Sequence, residues 1–230
     1  MTYSLYIGNK RYSSWSMRPW VVLKSLDIPF EERLHLFKPG HRQPDFLAFS
    51  PTGKVPCLHD SSSSLVIWDS LAIVEYLAEK HDGVWPKDQV ARAFARCAAS
   101  EMHTGFNAIC DECSMNVGLR IDMGPSLSEG LQRDIDRFNV LFKEGLDKFG
   151  GPWLAGGKFT AVDAFFAPVA TRCKTFGIKL DGAAAEYMDR LFEHPAVQAW
   201  VQDGIKELAR EPTHEDGSIR GRTILEDLCK

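Results

Sequence analysis

An α/β unit followed by a larger all-α unit is the architecture this sequence predicts. Three observations carry it. Between residues 3 and 82, short runs of strand-like alternation interleave with helical spacing. A turn-rich break, "HDGVWPKD" at 81–88, then interrupts the pattern. Beyond it only helical periods recur.

Each element has its own reason. "YSLYIGN" (3–9) is alternating and aromatic, the signature of a strand. "PWVVLKSLDI" (19–28) places Trp20, Leu23 and Leu26 at helical spacing, with Pro19 expected in the first turn. "FEERLHLF" (30–37) alternates again, so the opening unit is β-α-β and its two strands should be parallel neighbours. "PDFLAFSP" (44–51) reads as a short helical turn. "KVPCLHD" (54–60) and "SLVIWDS" (64–70) flank the serine turn "DSSSS" and predict an antiparallel hairpin. "SLAIVEYLAEKHD" (70–82) predicts a helix. Further helical patterns run over 89–116, 128–150, 160–177, 185–194 and 195–209. No strand is expected after residue 88, and the polar tail "REPTHEDGSIRGR" is expected to be extended or loosely ordered.

Composition narrows the partners. The net charge of −4, from 27 basic and 31 acidic residues, selects for neither nucleic acid nor an anionic membrane. Six cysteines scattered over 230 residues do not form a compact disulfide framework. No apolar run suits a signal peptide or a membrane span, so a cytoplasmic protein is expected.

Chemistry concentrates in a few stretches. "RYSSWSMRPW" (11–20) sets Ser13, Ser14 and Ser16 beside Trp15 at a strand-to-helix junction. Such hydroxyls either cap the helix, a reading that suits Ser16 best, or donate to a ligand's reactive atom. "CDEC" (110–113) is one C-x-x-C with no second pair, and is read as structural rather than metal-binding. Met102, His103 and Phe106 either line a pocket or pack the core. Thr160 and Asp163 fit a capping box, a folding role.

Three motifs in order, "YSSWS", "SPTGKVPCLHD" and "IWDSLAIVEYLAE", with "FTAVDAFFAPV" as a fourth support, resemble the cytosolic glutathione transferase family over nearly the whole chain. The resemblance implies a thioredoxin-like domain at 1–82 that binds glutathione, and a helical bundle at 88–230 that holds a hydrophobic small-molecule electrophile. It implies a homodimer, and glutathione as co-substrate, activated as thiolate. Ser13 matches the first serine of the serine-type pattern, with Ser14 and Ser16 as the other candidates for supporting the thiolate. Trp15 stands where the zeta class has cysteine, and Arg18 after it either neutralises negative charge near the glutathione site or decorates the helix. Val55-Pro56 matches the family's cis-proline, whose preceding residue pairs with the tripeptide. Asp69 and Ser70 match the pair that holds the γ-glutamyl group. His41 and Lys54 fall near the glycine end. Two other readings share these residues: a glutathione-dependent isomerase of the maleylacetoacetate type, and a non-catalytic glutathione-binding or regulatory protein.

Overall fold

The computed structural model describes residues 2–40 and 42–229. Its first half runs β1 (Tyr3–Ile7), α1 (Ser14–Ser25), β2 (Phe30–Leu34), a 3₁₀ turn (Pro44–Ala48), β3 (Cys57–Asp60), β4 (Leu65–Ile67) and α2 (Ser70–Ala78). The sheet order is β2-β1-β3-β4. β1 and β2 are parallel from Tyr3↔Phe30 to Ile7↔Leu34, whereas β3 is antiparallel to both β1 and β4. This is the expected thioredoxin-like arrangement. Alternation in β1 puts Tyr3, Leu5 and Ile7 into the core beneath α1, whose Met17, Val21 and Leu23 are buried.

The second half holds α3 (Gln89–Thr104), α4 (Asn107–Glu112), β5 (Leu119–Ile121), α5 (Glu129–Phe149), α6 (Ala161–Phe176), α7 (Gly182–Phe192), α8 (Pro195–Lys206), α9 (Pro212–Ile219) and β6 (Ile224–Asp227). It is the expected helical domain. α6 is its axis, buried along nearly its whole length and started by the capping box in which the Thr160 N–H donates to Asp163 at 2.8 Å. One apolar core runs through both halves, with Trp20 of α1 edge-on to Trp200 of α8 at 5.3 Å.

Four sequence expectations need correction. α1 begins at Ser14, so Pro19 lies in its second turn rather than its first. The long pattern at 89–116 is two helices broken at Gly105, where an added Cβ would sit 2.9 Å from the Glu101 carbonyl oxygen. Strands do occur after residue 88: β5 and β6 pair antiparallel, and each is too short to show a period. The tail is not loose. Pro212 at the first helical position and the Glu211 carboxylate, which accepts from the Thr213 and His214 N–H groups, start α9.

Asp60, buried at the end of β3, closes the hairpin. Its carboxylate accepts from the Ser62 N–H (2.8 Å), the Ser62 and Tyr76 hydroxyls (both 2.6 Å) and Lys80 Nζ (2.9 Å). Burial opposes its ionisation, but the hydrogen bonds from Ser62, Tyr76 and Lys80 outweigh burial and hold the carboxyl well below the usual range. A depressed carboxyl pKa adds stability above the unfolded value, near pH 4, that is lost as pH falls through the folded value. Asp60→Asn is therefore expected to cost about 2 kcal/mol at neutral pH. The gap to wild type should narrow below about pH 4 in denaturant titrations. A gap that stayed constant with pH would contradict this.

Candidate functional site

The serines lie on a loop that distant chain segments hold in shape. The Asn9 carbonyl accepts from the N–H groups of Tyr12 (3.1 Å) and Ser13 (2.9 Å), folding residues 9–13 into a tight turn ahead of α1. Glu207, half-buried beyond the end of α8, receives the Lys10 N–H at 2.6 Å, the Arg11 N–H at 3.3 Å and Asn9 Nδ2 at 3.4 Å. Trp200 Nε1 donates to the Lys10 carbonyl at 2.8 Å. Gly204 allows α8 this close: a Cβ there would fall 3.0 Å from the Arg11 nitrogen.

Within this frame the serines differ. Ser13 caps α1, accepting from the Ser16 N–H at 3.4 Å while its hydroxyl donates to Ser16 Oγ at 2.8 Å. The cap thus falls on Ser13, not on Ser16. Ser16 is fully enclosed and also receives the Gly8 N–H at 3.3 Å. Ser14 accepts a long contact from Arg172 Nη2 at 3.4 Å, and among the described residues nothing accepts its hydroxyl hydrogen.

Two clefts meet at Ser14. The larger, about 710 Å³, is lined by Tyr12, Ser13, Ser14, Trp15, Phe37, Arg42, Lys54, Val55 and His214, among others. The smaller, about 320 Å³, lies against the helical domain and is lined by Ser14, Trp15, Met102, His103, Phe106, Cys110 and Arg172, among others. Met102 and Phe106 are also core residues, so both readings of that stretch hold for them.

Val55-Pro56 is a cis peptide. Among the described residues no backbone hydrogen bond engages Val55, and Val55 faces the larger cleft. Asp69 and Ser70 do not line that cleft. They open α2, where Asp69 accepts the Leu71 N–H at 3.0 Å and meets His103 Nε2 at 3.2 Å. Trp15, 40% exposed, stands edge-on to His103 at 5.0 Å and so links this corner to the clefts. The Ser70 hydroxyl is buried and without a partner among the described residues. Burial pulls the His103 pKa down, against the opposing pull of Asp69. Arg18, expected as a binding candidate or a helix decoration, lines neither cleft: it is buried under Trp15, its guanidinium 4.2 Å from that ring. Burial lowers its pKa to about 9, which leaves it a cation. Lys54 is exposed at the larger cleft, and His41 lies outside the described residues.

Sequence reasoning missed several contributors. Tyr12 lines both clefts, but its hydroxyl donates to Glu215 at 2.6 Å and receives the Glu211 N–H, so it points away from them. Burial, then the Glu215 contact, pushes that hydroxyl well above the usual phenol range. His214 of α9 stacks on Tyr12 and Phe37 and walls the larger cleft. Arg42 adds a cation there. The tail contacts had no local signature. Arg172 had one, being the first cation to interrupt the otherwise apolar start of α6, "AVDAFFAPVATR", after Asp163.

Known proteins bear on this geometry. Residues 12–80 match the family model described as glutathione S-transferase, N-terminal domain. Glutathione S-transferase 1 of Dianthus caryophyllus is 30% identical over 167 residues, 71% of this chain and 74% of that protein. Glutathione S-transferase-like protein OpS6 of Beauveria bassiana is 27% identical over 207 residues, 84% of this chain and 92% of that protein. A glutathione transferase homolog from Burkholderia, solved with bound glutathione, superposes with a TM-score of 0.66 at 24% identity, covering 89% of this chain and 98% of that one.

Proposed function

The chain belongs to the glutathione S-transferase family, and from that premise we propose that it is a glutathione transferase of the serine type, joining glutathione to an electrophilic small molecule. The domains divide at 1–82 and 88–230. Glutathione supplies the reaction with a thiolate nucleophile. The tripeptide fits the residues present: the orphaned Ser70 hydroxyl and the N–H groups opening α2 suit the γ-glutamyl carboxylate. Asp69 suits the α-ammonium. The Val55 backbone, without a hydrogen bond among the described residues, suits the cysteinyl amide. Arg42 and Lys54 suit the glycyl carboxylate.

Ser14 carries the proposal. It alone among the three serines lines both clefts, and it holds an uncommitted hydroxyl hydrogen. A neutral hydroxyl is no base at pH 7, so its contribution is donation to the thiolate, favouring the charged form. Ser13 and Ser16 support it by fixing the start of α1. A homodimer, a cytoplasmic setting and a detoxifying role are part of the same proposal and rest on family membership. Trp15 in place of the zeta-class cysteine weighs against the isomerase reading.

Product mass tests it. Incubation with glutathione and 4-chloro-3-nitrobenzoate should yield the conjugate with loss of chloride, and calorimetry should show glutathione binding that weakens about tenfold in Ser70→Ala. Absence of glutathione binding would overturn the proposal. Turnover of maleylacetoacetate to its trans isomer, with glutathione recovered and no conjugate from the chloroarene, would replace it with the isomerase reading.

A further inference from the structure

We propose that the smaller cleft selects electrophiles that carry a carboxylate, with Arg172 as the residue that receives it. This rests on the transferase reading above and names its second substrate's class.

The observation is an unbalanced pair of buried cations. Arg172, on α6, is 3% exposed and lines the smaller cleft. Its Nε donates to the Cys113 carbonyl at 2.8 Å and its Nη2 reaches Ser14 Oγ at 3.4 Å. Its Nη1 is buried without a partner among the described residues. Arg18 nearby is equally buried, with Nε and Nη1 likewise unpartnered and only a 3.4 Å contact from Nη2 to the Met102 carbonyl. Among the described residues neither guanidinium forms an ion pair with a carboxylate. Asp69 contacts His103 Nε2 at 3.2 Å and reaches Arg18 only through its field, without an ion-pair contact, and the exposed Asp111 also lines the cleft.

Two guanidinium groups held dry, with no carboxylate in ion-pair contact among the described residues, are costly, and the cost falls when an anion enters. A carboxylate matches Arg geometry, because the planar fork presents parallel N–H groups to two oxygens. The remaining walls are Trp15, Met102 and Phe106, which suit an aromatic or olefinic body. A cleft of about 320 Å³ has room for a small organic acid. With the carboxylate on Arg172, the electrophilic carbon lies on the Ser14 side, where the thiolate is proposed to be held. The sulfur lone pair forms the S–C bond. In a displacement the halide leaves with its bonding pair, and the thiol proton goes to solvent.

The test reads binding, not turnover, and uses the full chain without glutathione. Benzoate and benzamide are titrated calorimetrically as matched probes. Benzoate should bind roughly tenfold or more tightly than benzamide, as expected for one charge-assisted contact. Arg172→Met should erase the preference, which also separates this site from Arg42 and Lys54 in the larger cleft. In wild-type protein, benzoate and not benzamide should slow N-ethylmaleimide labelling of Cys110, which lines the smaller cleft, as read by peptide mass. That measurement stands even if Arg172→Met does not fold. Equal affinity for the two probes, a preference that survives Arg172→Met, or Cys110 labelling unaffected by benzoate would overturn the inference. A separate glutathione titration tells the two proposals apart: its failure removes the transferase reading and leaves the anion site standing.

Discussion

Ser14→Ala is expected to raise the pKa of the bound glutathione thiol by about one to two units, the equivalent of a hydrogen bond to a charged group worth about 1.5–3 kcal/mol. The free thiol titrates near pH 8.5, so at neutral pH the reactive thiolate fraction should fall roughly 8- to 25-fold. The sign fixes the pH profile. A group held below its free value reacts fully above its bound pKa, and its advantage disappears once pH exceeds the free value. The variant should therefore trail wild type strongly near pH 7 and approach it above about pH 9. Glutathione affinity should change little, because the tripeptide's carboxylates have other partners in the proposal. A parallel drop in kcat at every pH would argue that Ser14 positions rather than ionises.

Glu207→Ala should have the largest effect on stability, although Glu207 lines neither cleft. The substitution leaves the N–H groups of Lys10 and Arg11 and the Asn9 amide without their acceptor. Water can reach this half-buried site, so the expected cost is about 3 kcal/mol rather than the full sum of charge-assisted bonds. For a chain of this size that is a drop in Tm of roughly 6–12 °C. Burial raises the Glu207 pKa, against the pull of the Lys10 and Arg11 amides, so the carboxylate is kept in place by those contacts. Glutathione binding should weaken together with stability, because the loop carrying Ser13 and Ser14 loses its brace. Glu207→Gln keeps one acceptor oxygen and should fall between the two. Hydrogen exchange of the Lys10 and Arg11 amides would report the loss directly. An unchanged Tm would mean that the loop is set by its own turn.

The two effects illustrate what sequence reading reaches. β1 and β2 were legible because their sequences alternate, and the β3–β4 hairpin because its two runs flank the serine turn. The start of α6 was legible because Thr160 and Asp163 announce it within four residues. The serine loop was legible as a site, but not which hydroxyl is uncommitted. That depends on Ser13 turning toward Ser16 and on Arg172 arriving from far along the chain. The Glu207 brace and the His214 wall are invisible for the same reason: they join residues about two hundred positions apart, and local patterns carry no trace of such contacts. The tail looked polar because its buried face is made of Glu211, Glu215 and Ser218, bonded to Tyr12 and Asn116 rather than packed as apolar stripes.

The most direct measurement is ultraviolet absorbance of thiolate as a function of pH, with glutathione bound to wild type, Ser13→Ala and Ser14→Ala. The account predicts a midpoint below the free-thiol value in wild type, a similar or slightly raised midpoint in Ser13→Ala, and a return toward the free value in Ser14→Ala. A wild-type midpoint equal to that of free glutathione, or a curve unmoved by Ser14→Ala, would contradict it.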